Sequence, residues 1–330
     1  MTLGQWLDEW HSRQVGRRRW QAGTERRHRS NIDRHLVPNM GGYQLADMRP
    51  DDVETLDAKL AAEGLAPKTR ASVHGTLRQA LADAVRHGKT TVNVATMAGG
   101  PTVPRPEVTV PTDQQVAIML SLAEGAEYEV PRWVFPFLRL AAFTGARPGE
   151  LAALRWADVD LDRGELLIRG TATADEAGKG YTVREGTKTG VGRRIALDKA
   201  TVAALKRWLV DGWESALVFP GSTYGTAPMP AHLPRRWFKR LAGRAGIDPA
   251  CTLYSLRHWH ASWLISRGVP PTLVAERLGH ANPTQTLNTY GRHVPADRRI
   301  ADLLDGSHRC DGNHAEPQCS DPQCWRSEAP

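Results

Sequence analysis

A glycine- and proline-rich stretch, AGGPTVPRPEVTVPT at residues 98–112, divides this chain into two parts with different patterns. The stretch has neither helical nor strand periodicity, and glycine and proline at this density interrupt regular structure. A chain of 330 residues is also longer than one hydrophobic core usually serves. We therefore expect an N-terminal domain at residues 1–98, a linker at residues 99–111 and a second domain at residues 112–305.

The part before the linker carries only helical signals. Apolar residues recur at helical spacing before Gly88, most clearly Val73, Leu77, Leu81 and Val85. Three earlier stretches also predict helices, namely TLGQWLDEWHSRQ, TERRHRSNIDRHLVPNM and RPDDVETLDAKLAAEG. The sequence therefore predicts an all-α N-terminal domain.

The part after the linker combines helices with a small sheet. RPGELAALRWADVDL predicts a helix opened by Pro148, and the glycine-punctuated run from Gly164 to Leu197 alternates like short antiparallel strands. Helical patterns then resume, and they include LPRRWFKRLAGRAG, SLRHWHASWLISRG and ADRRIADLLDG. In the last of these, Ile300, Leu303 and Leu304 share one face. The predicted fold class is mainly α with a small antiparallel β-sheet, an α+β arrangement, in the second domain.

The charge distribution favours a polyanionic partner. The net charge is +7, and arginines cluster around Trp20 in GRRRWQAGTERRHRS. Such a mixture suits phosphate binding, although a solvated basic helix face would have the same composition. The candidate DNA-binding residues are Arg17, Arg18, Arg19, Arg26, Arg27 and Arg29.

Targeting and metal signals are weak. The N-terminus lacks a signal-peptide pattern, and no apolar run approaches the ~20 residues that span a bilayer, so we expect a cytoplasmic protein without membrane contact. The tail at residues 306–330 is polar and is expected to be disordered. Its spacing does not match a zinc knuckle, so we expect no metal there despite four potential ligands, Cys310, His314, Cys319 and Cys324.

Five residues capable of phosphate chemistry lie at marked places in the chain. Arg147 in TGARPGEL and Arg257 in LYSLRHWHAS lie near helix starts, and His280 in LGH lies just before an Asn-Pro helix cap. Lys188 in GTKTGVGRRI falls at a turn of the predicted sheet. Tyr290 ends a helix that has too few apolar residues to be explained by packing. Taken singly, each residue has an ordinary structural explanation.

Taken in order, these residues resemble the tyrosine recombinase, or phage integrase, family. The family's order of Arg, Lys, His-x-x-Arg, His and Tyr is matched by Arg147, Lys188, Tyr254-x-x-Arg257, His280 and Tyr290. The N-terminal helices resemble the family's core-DNA-binding domain, which is SAM-like, and residues 112–305 its catalytic domain. The separate arm-site-binding domain of many phage integrases is not expected before them.

The resemblance implies a site-specific DNA recombinase that cuts and rejoins strands through a 3′-phosphotyrosine intermediate. It implies double-stranded DNA as partner, a homotetramer on paired DNA sites and an accessory directionality factor, with no cofactor or metal. Two other functions on the same fold stay open, a DNA-binding regulator without activity and a nicking-closing topoisomerase of type IB.

The chemistry of the residues agrees with strand transfer that needs no metal. One guanidinium group can donate hydrogen bonds to two phosphate oxygens, so Arg147 and Arg257 are suited to stabilise the negative charge of a phosphate. His280 can donate a further hydrogen bond to it. Tyr290 is then the nucleophile, and Lys188 the acid that protonates the departing 5′ oxygen.

Tyr254 is the one departure from the family pattern, which usually has histidine at this position. Its reference pKa of about 10 makes it a weak base near neutral pH, although it can donate a hydrogen bond to phosphate or orient Tyr290. We keep it as a candidate site residue, and we expect the neighbouring His258 to point elsewhere on the helix.

Overall fold

The computed structural model describes residues 1–17, 20–104, 109–125, 130–175, 180–186, 192–210, 215–221 and 226–280. Two compact units divide the chain, one of residues 1–107 with 173–182 and one of residues 108–172 with 183–330. Several predicted features lie outside the described residues, namely Arg18, Arg19, Lys188, Tyr290, the ADRRIADLLDG helix with Ile300, Leu303 and Leu304, and the tail with its cysteines.

Up to residue 104, the described part of the first unit is built from helices, as predicted. Its elements are α1 (Leu3–Gly16), α2 (Ala22–Asn31), α3 (Val37–Met40), α4 (Pro50–Ala62), α5 (Pro67–Arg86) and α6 (Val94–Met97), with a π-helical turn Ile32–Leu36 between α2 and α3. Thr2 and Gln5 form a capping box that starts α1. Two tryptophans of α1 form hydrogen bonds with α5. Trp6 Nε1 donates to the Ala80 carbonyl at 2.9 Å, and Trp10 Nε1 donates to Asp83 at 2.7 Å.

The second unit begins with three helices and a sheet. These elements are α7 (Asp113–Glu124), α8 (Val134–Thr144), α9 (Pro148–Ala152), β1 (Val159–Asp160), β2 (Glu165–Ile168), β3 (Gly170–Ala174), β4 (Tyr181–Glu185) and β5 (Arg193–Ala196). Residues 173–174 of β3 and 181–182 of β4 are assigned to the first compact unit. Strands β1, β2 and β5 form an antiparallel sheet in that order, with Leu166 opposite both Val159 and Ile195. Strands β3 and β4 form a separate two-stranded sheet. The predicted α+β fold class is thus confirmed.

Four further helices complete the described part of the second unit. They are α10 (Lys199–Val210), α11 (His232–Arg244), α12 (Ser255–Ser266) and α13 (Pro271–Leu278). Helix α8 is the central element, because α7, α10, α11 and α12 all pack against it and its Phe137 and Leu140 are fully buried. None of the described helices has both the length and the apolar composition of a membrane span.

One predicted helix is wrong in length. RPGELAALRWADVDL was expected to be a single helix, but α9 ends at Ala152, and a 3₁₀ turn (Trp156–Asp158) leads into β1. The cause is a tertiary pairing, since Trp156 N donates to the Ala216 carbonyl at 3.0 Å and Val218 N donates to the Leu154 carbonyl at 2.8 Å. Backbone groups that bond to a distant segment cannot also continue a helix.

Candidate active site

A glycine turn after α8 sets the position of Arg147. Gly145 ends the helix in the left-handed conformation with φ of 62°, which glycine adopts without strain. A Cβ atom there would lie 2.6 Å from Leu278 Cδ2, so only glycine lets this turn approach the end of α13. Arg147 follows two residues later as the N-cap residue of α9. The turn thereby brings Arg147 next to the C-terminal end of α13.

Glu150 holds Arg147 from the first turn of α9. Its carboxylate, 4% exposed, accepts hydrogen bonds from the Arg147 backbone N and from Arg147 Nη1, both at 2.8 Å. Arg193 donates to the same carboxylate from Nη2 at 2.6 Å and from Nη1 at 3.1 Å. Burial acts to raise the pKa of Glu150, but the hydrogen bonds and charges of the two arginines lower it below its ordinary value. Glu150 is therefore ionised at neutral pH.

Arg257 lies at the centre of the site. It is 1% exposed on the first turn of α12, and it donates from Nη1 to the Gly145 carbonyl at 2.7 Å and from Nη2 to the Leu278 carbonyl at 2.8 Å. Burial, together with the charge of Arg147, lowers the pKa of Arg257 to about 10. The guanidinium remains charged at pH 7, and it links the turn that carries Arg147 to the helix end that carries His280.

His280 follows the left-handed cap of α13. Gly279, with φ of 68°, turns the chain after Leu278 and leaves His280 half-buried beside the arginines. Burial and then the charges of Arg257 and Arg147 lower the pKa of His280 to about 4. The imidazole is therefore neutral at pH 7, with one ring nitrogen able to donate a hydrogen bond and the other able to accept one.

Tyr254 lies at the edge of the same cluster. It is the N-cap residue of α12 and is 38% exposed, and the guanidinium carbon of Arg257 is 6.0 Å from its ring centroid. The expectation for His258 is wrong, because its ring lies 5.1 Å from the Tyr254 ring. The two residues are one helical turn apart and so share a face. The charge of His258 also acts on His280, so His258 belongs to the surroundings of the site.

The structure thus brings together Arg147, Tyr254, Arg257 and His280, while Lys188 and Tyr290 lie outside the described residues. The sequence reasoning missed Glu150 and Arg193. Glu150 had a local signal, because a Glu three residues after an N-cap residue is a capping-box pattern. Arg193 had none, since the sequence alone does not say which of two adjacent arginines in GRRIAL faces inward.

The arginine cluster of the first unit divides into two groups. Arg17, Arg26 and Arg27 are exposed, whereas Arg29 donates to Asp8 at 2.9 Å and to Asp33 at 2.7 Å. Trp20, at their centre, stacks on buried His28 with ring centroids 4.3 Å apart. Its ring therefore contributes to packing inside the unit.

Known proteins resemble the chain in both sequence and structure. Residues 110–296, more than half of the chain, match the phage integrase family. An integrase of Streptomyces ambofaciens is 30% identical over 298 residues, which cover 83% of this chain and 72% of that protein. An integrase of Staphylococcus phage L54a is 30% identical over 179 residues, 51% of this chain and 50% of that protein.

Solved structures of integrases share the fold. The Tn1549 transposon integrase in complex with transposon right end DNA has a TM-score of 0.78 at 20% identity, covering 93% of this chain and 100% of that chain. The chain spans about half the length of most of the first curated relatives that it matches. On the match over residues 110–296 and the similarity to the Streptomyces protein, the chain belongs to the phage integrase family.

Proposed function

We propose that this chain is a tyrosine-type site-specific DNA recombinase, which cuts and rejoins DNA strands through a 3′-phosphotyrosine intermediate. The observation that carries the proposal is the charge of the described site. Arg147, Arg193 and Arg257 surround one buried carboxylate, Glu150, beside a neutral His280. Such an excess of fixed positive charge stabilises an anion whose charge grows in the transition state, as a phosphodiester under attack does.

The arginines and His280 stabilise the phosphate. Arg147 and Arg257 contact the nonbridging oxygens, and their guanidinium groups are already oriented by Glu150 and by two backbone carbonyls. His280, being neutral, donates a hydrogen bond to the same phosphate. Tyr254, exposed at the start of α12, donates another from its hydroxyl. Groups fixed before the reaction need no reorganisation as charge develops.

Strand exchange in this proposal depends on Tyr290 and Lys188, which lie outside the described residues. The Tyr290 oxygen forms a bond to phosphorus, and the bond from phosphorus to the 5′ oxygen breaks. Lys188 gives its proton to that departing oxygen, and the phenolic proton of Tyr290 passes to solvent, a loss that the nearby cations favour. Attack by the 5′ hydroxyl of another strand reverses the steps and releases Tyr290. The phosphodiester is retained throughout, so the exchange needs neither ATP nor a metal.

DNA is gripped outside the site by basic surfaces on both units. Helix α11 buries Trp237, Phe238 and Leu241 and exposes a row of cations, Arg235, Arg236, Lys239 and Arg240. Exposed cations at helical spacing fit the phosphate backbone and carry no sequence information themselves. In the first unit, Arg17, Arg26 and Arg27 fit the same purpose.

The domain roles follow from this division. Residues 1–98 act as the core-DNA-binding domain and residues 112–305 as the catalytic domain, joined by the linker at residues 99–111. The active form is a homotetramer on two paired duplexes, because a full exchange cuts four strands, and an accessory factor sets its direction.

The test is capture of a covalent adduct. The purified protein is incubated with duplexes that carry 30 randomised base pairs and a nick at varied positions, and adducts that survive sodium dodecyl sulfate are isolated and sequenced. We expect enrichment of one sequence, called the selected duplex below, and loss of the adduct in Tyr290→Phe, which should still bind that duplex. Binding without any adduct would instead favour a regulator, and relaxation of plasmid DNA without two-site exchange would favour a topoisomerase.

A further inference from the structure

Arg193 occupies a buried position between two parts of the site. It is the first residue of β5, paired with Ile168 of β2, and its side chain is 10% exposed. The next residue, Arg194, points to the opposite face as strand geometry requires, and its side chain is 73% exposed. Two adjacent arginines therefore differ fully in environment, and only Arg193 faces the site.

On one side, Arg193 holds the carboxylate that holds Arg147. Its Nη2 and Nη1 atoms donate to the two oxygens of Glu150 at 2.6 Å and 3.1 Å. This fork-to-fork geometry fixes the plane of the carboxylate. Arg147 donates to the same two oxygens from its backbone N and its Nη1. The orientation of Arg147 is thus tied to that of Arg193.

On its other side, Arg193 holds the helix end that precedes His280. Its Nε donates to the carbonyl of Arg277 at 2.9 Å, in the last turn of α13. The contact continues to Gly279, where a Cβ atom would lie 2.9 Å from Arg193 Nη1. Leu278, between these two residues, offers its carbonyl to Arg257. Arg193 and Arg257 therefore both fix the backbone that leads into His280.

We propose that Arg193 is a positioning residue that fixes Arg147, through Glu150, and His280, through the end of α13, in one arrangement. The proposal rests on the recombinase function proposed above, whose steps require these two groups to act on one phosphate. The Arg193 side chain is 10% exposed against 32% for Arg147, and its hydrogen bonds go to Glu150 and to the Arg277 carbonyl, so it is placed to act through these groups. A displacement of about 1 Å in either group would slow the reaction about 100-fold.

Lysine cannot replace Arg193 in this role. The three hydrogen bonds diverge from one planar group, two toward Glu150 and one toward the Arg277 carbonyl. An ammonium group keeps the charge but concentrates its donors at one atom, so it cannot bridge both partners with this geometry. Arg193→Lys therefore separates positioning from charge, and it does not leave Glu150 buried without a cation.

The electrostatic contribution points the same way. The charge of Arg193 is one of those that lower the pKa of His280. A variant without that charge, Arg193→Met, should therefore raise the pKa of His280, whereas Arg193→Lys keeps a cation nearby. Because burial also lowers this pKa, the comparison is made with Arg193→Lys, which keeps the cation.

The experiment compares Arg193→Lys with Arg194→Lys, its neighbour on the exposed face of the same strand. Cleavage of the selected duplex is measured in a single turnover, and its binding by fluorescence anisotropy. We expect Arg193→Lys to cleave about 100-fold more slowly with a Kd within about 2-fold of the wild type, and Arg194→Lys to change neither. Equal cleavage by Arg193→Lys and wild type would overturn the proposal. So would a loss of binding and melting temperature in step with the loss of rate.

A second measurement does not depend on cleavage. In protein labelled at histidine, the His280 signal is assigned by its loss in His280→Gln and followed by NMR as the pH changes. We expect a shifted signal in Arg193→Lys, a raised pKa in Arg193→Met and neither change in Arg194→Lys. If the wild type forms no adduct, the proposed function fails, and the NMR result still decides the role of Arg193. An unchanged His280 signal in both Arg193 variants would overturn that role.

Discussion

Acid should weaken the second unit through His260, a buried histidine behind the site. Its Nε2 accepts a hydrogen bond from Arg277 Nε at 3.0 Å, so the ring is held neutral with its proton on the other nitrogen. Burial, followed by the charges of Arg277 and Arg257, lowers the pKa of His260 to about 3. Protonation would place a cation against Arg277, whose carbonyl neighbours the chain leading to His280.

The size of the stability loss follows from the difference between the pKa values of His260 in the folded and the unfolded chain. An unfolded histidine titrates near 6.5, so between that pH and the folded value the unfolded chain binds more protons. The stability contributed by neutral His260 is therefore present at pH 7 and is lost as the pH falls below about 6.5. With a folded pKa of about 3, the loss between pH 7 and pH 5 is about 2 kcal/mol.

The assay is hydrogen exchange of α12, which reports on the second unit by itself. Protection of the amides of Ser255–Ser266 is measured at pH 7 and pH 5 and corrected for intrinsic exchange. His260→Gln should lose about 2 kcal/mol less than the wild type over this range, whatever its packing costs at pH 7. His232→Gln, which changes an exposed histidine at the start of α11, is the control. An equal acid loss in His260→Gln and wild type would refute the reasoning.

Two further predictions concern the chemistry. Lys188→Ala should slow cleavage of the selected duplex strongly at an ordinary 5′ oxygen and much less at a bridging 5′ sulfur, which leaves without protonation. Equal slowing of the two substrates in single-turnover assays would remove Lys188 from the role of acid. Tyr254→His should stay active and shift the pH optimum of cleavage downward, because a group that titrates near neutrality joins the site. A folded but inactive Tyr254→His protein would show that the tyrosine has a role in shape or packing.

Local signals predicted most of the helices, and distant contacts explain the failures. The capping box of Thr2 and Gln5 and the proline at the start of α4 are readable within four residues, and both mark true helix starts. The extent of α9 was not readable, because the hydrogen bonds that replace its expected continuation come from residues 216–218. Propensity gives way to tertiary pairing in such a segment.

The site shows the same division. Arg147 and Arg257 were found from their order in the chain, and their convergence is visible only in the fold, where Arg257 donates to the carbonyl of Gly145. Glu150 and Arg193 were not predicted, because the role of each depends on its contact with the other. Glu150 lies on a helix, and Arg193 lies on a strand 43 residues later in the chain. A pair of this kind becomes readable only when the register of the strand is known.

The basic face of α11 gives a prediction about DNA binding that does not depend on catalysis. Arg236 and Arg240 are exposed four residues apart, and so they share one face of the helix. Each cation that contacts a phosphate releases a counterion, which contributes about 0.9 to the slope of log K against log salt. Arg236→Gln/Arg240→Gln should therefore reduce that slope by about 2 for the selected duplex and for unrelated DNA alike.

A variant of the same net charge provides the control for α11. Arg163, in the turn between β1 and β2, and Arg194, on β5, are exposed, and each lies within 4 Å of a carboxylate, with Asp160 at 3.8 Å and Glu165 at 3.6 Å. Arg163→Gln/Arg194→Gln removes two charges as well, but it removes them from cations already balanced by neighbouring acids. Binding is measured by anisotropy across a salt series. An equal change of slope in the two variants would mean that DNA senses only total charge, and that α11 does not lie against the phosphate backbone.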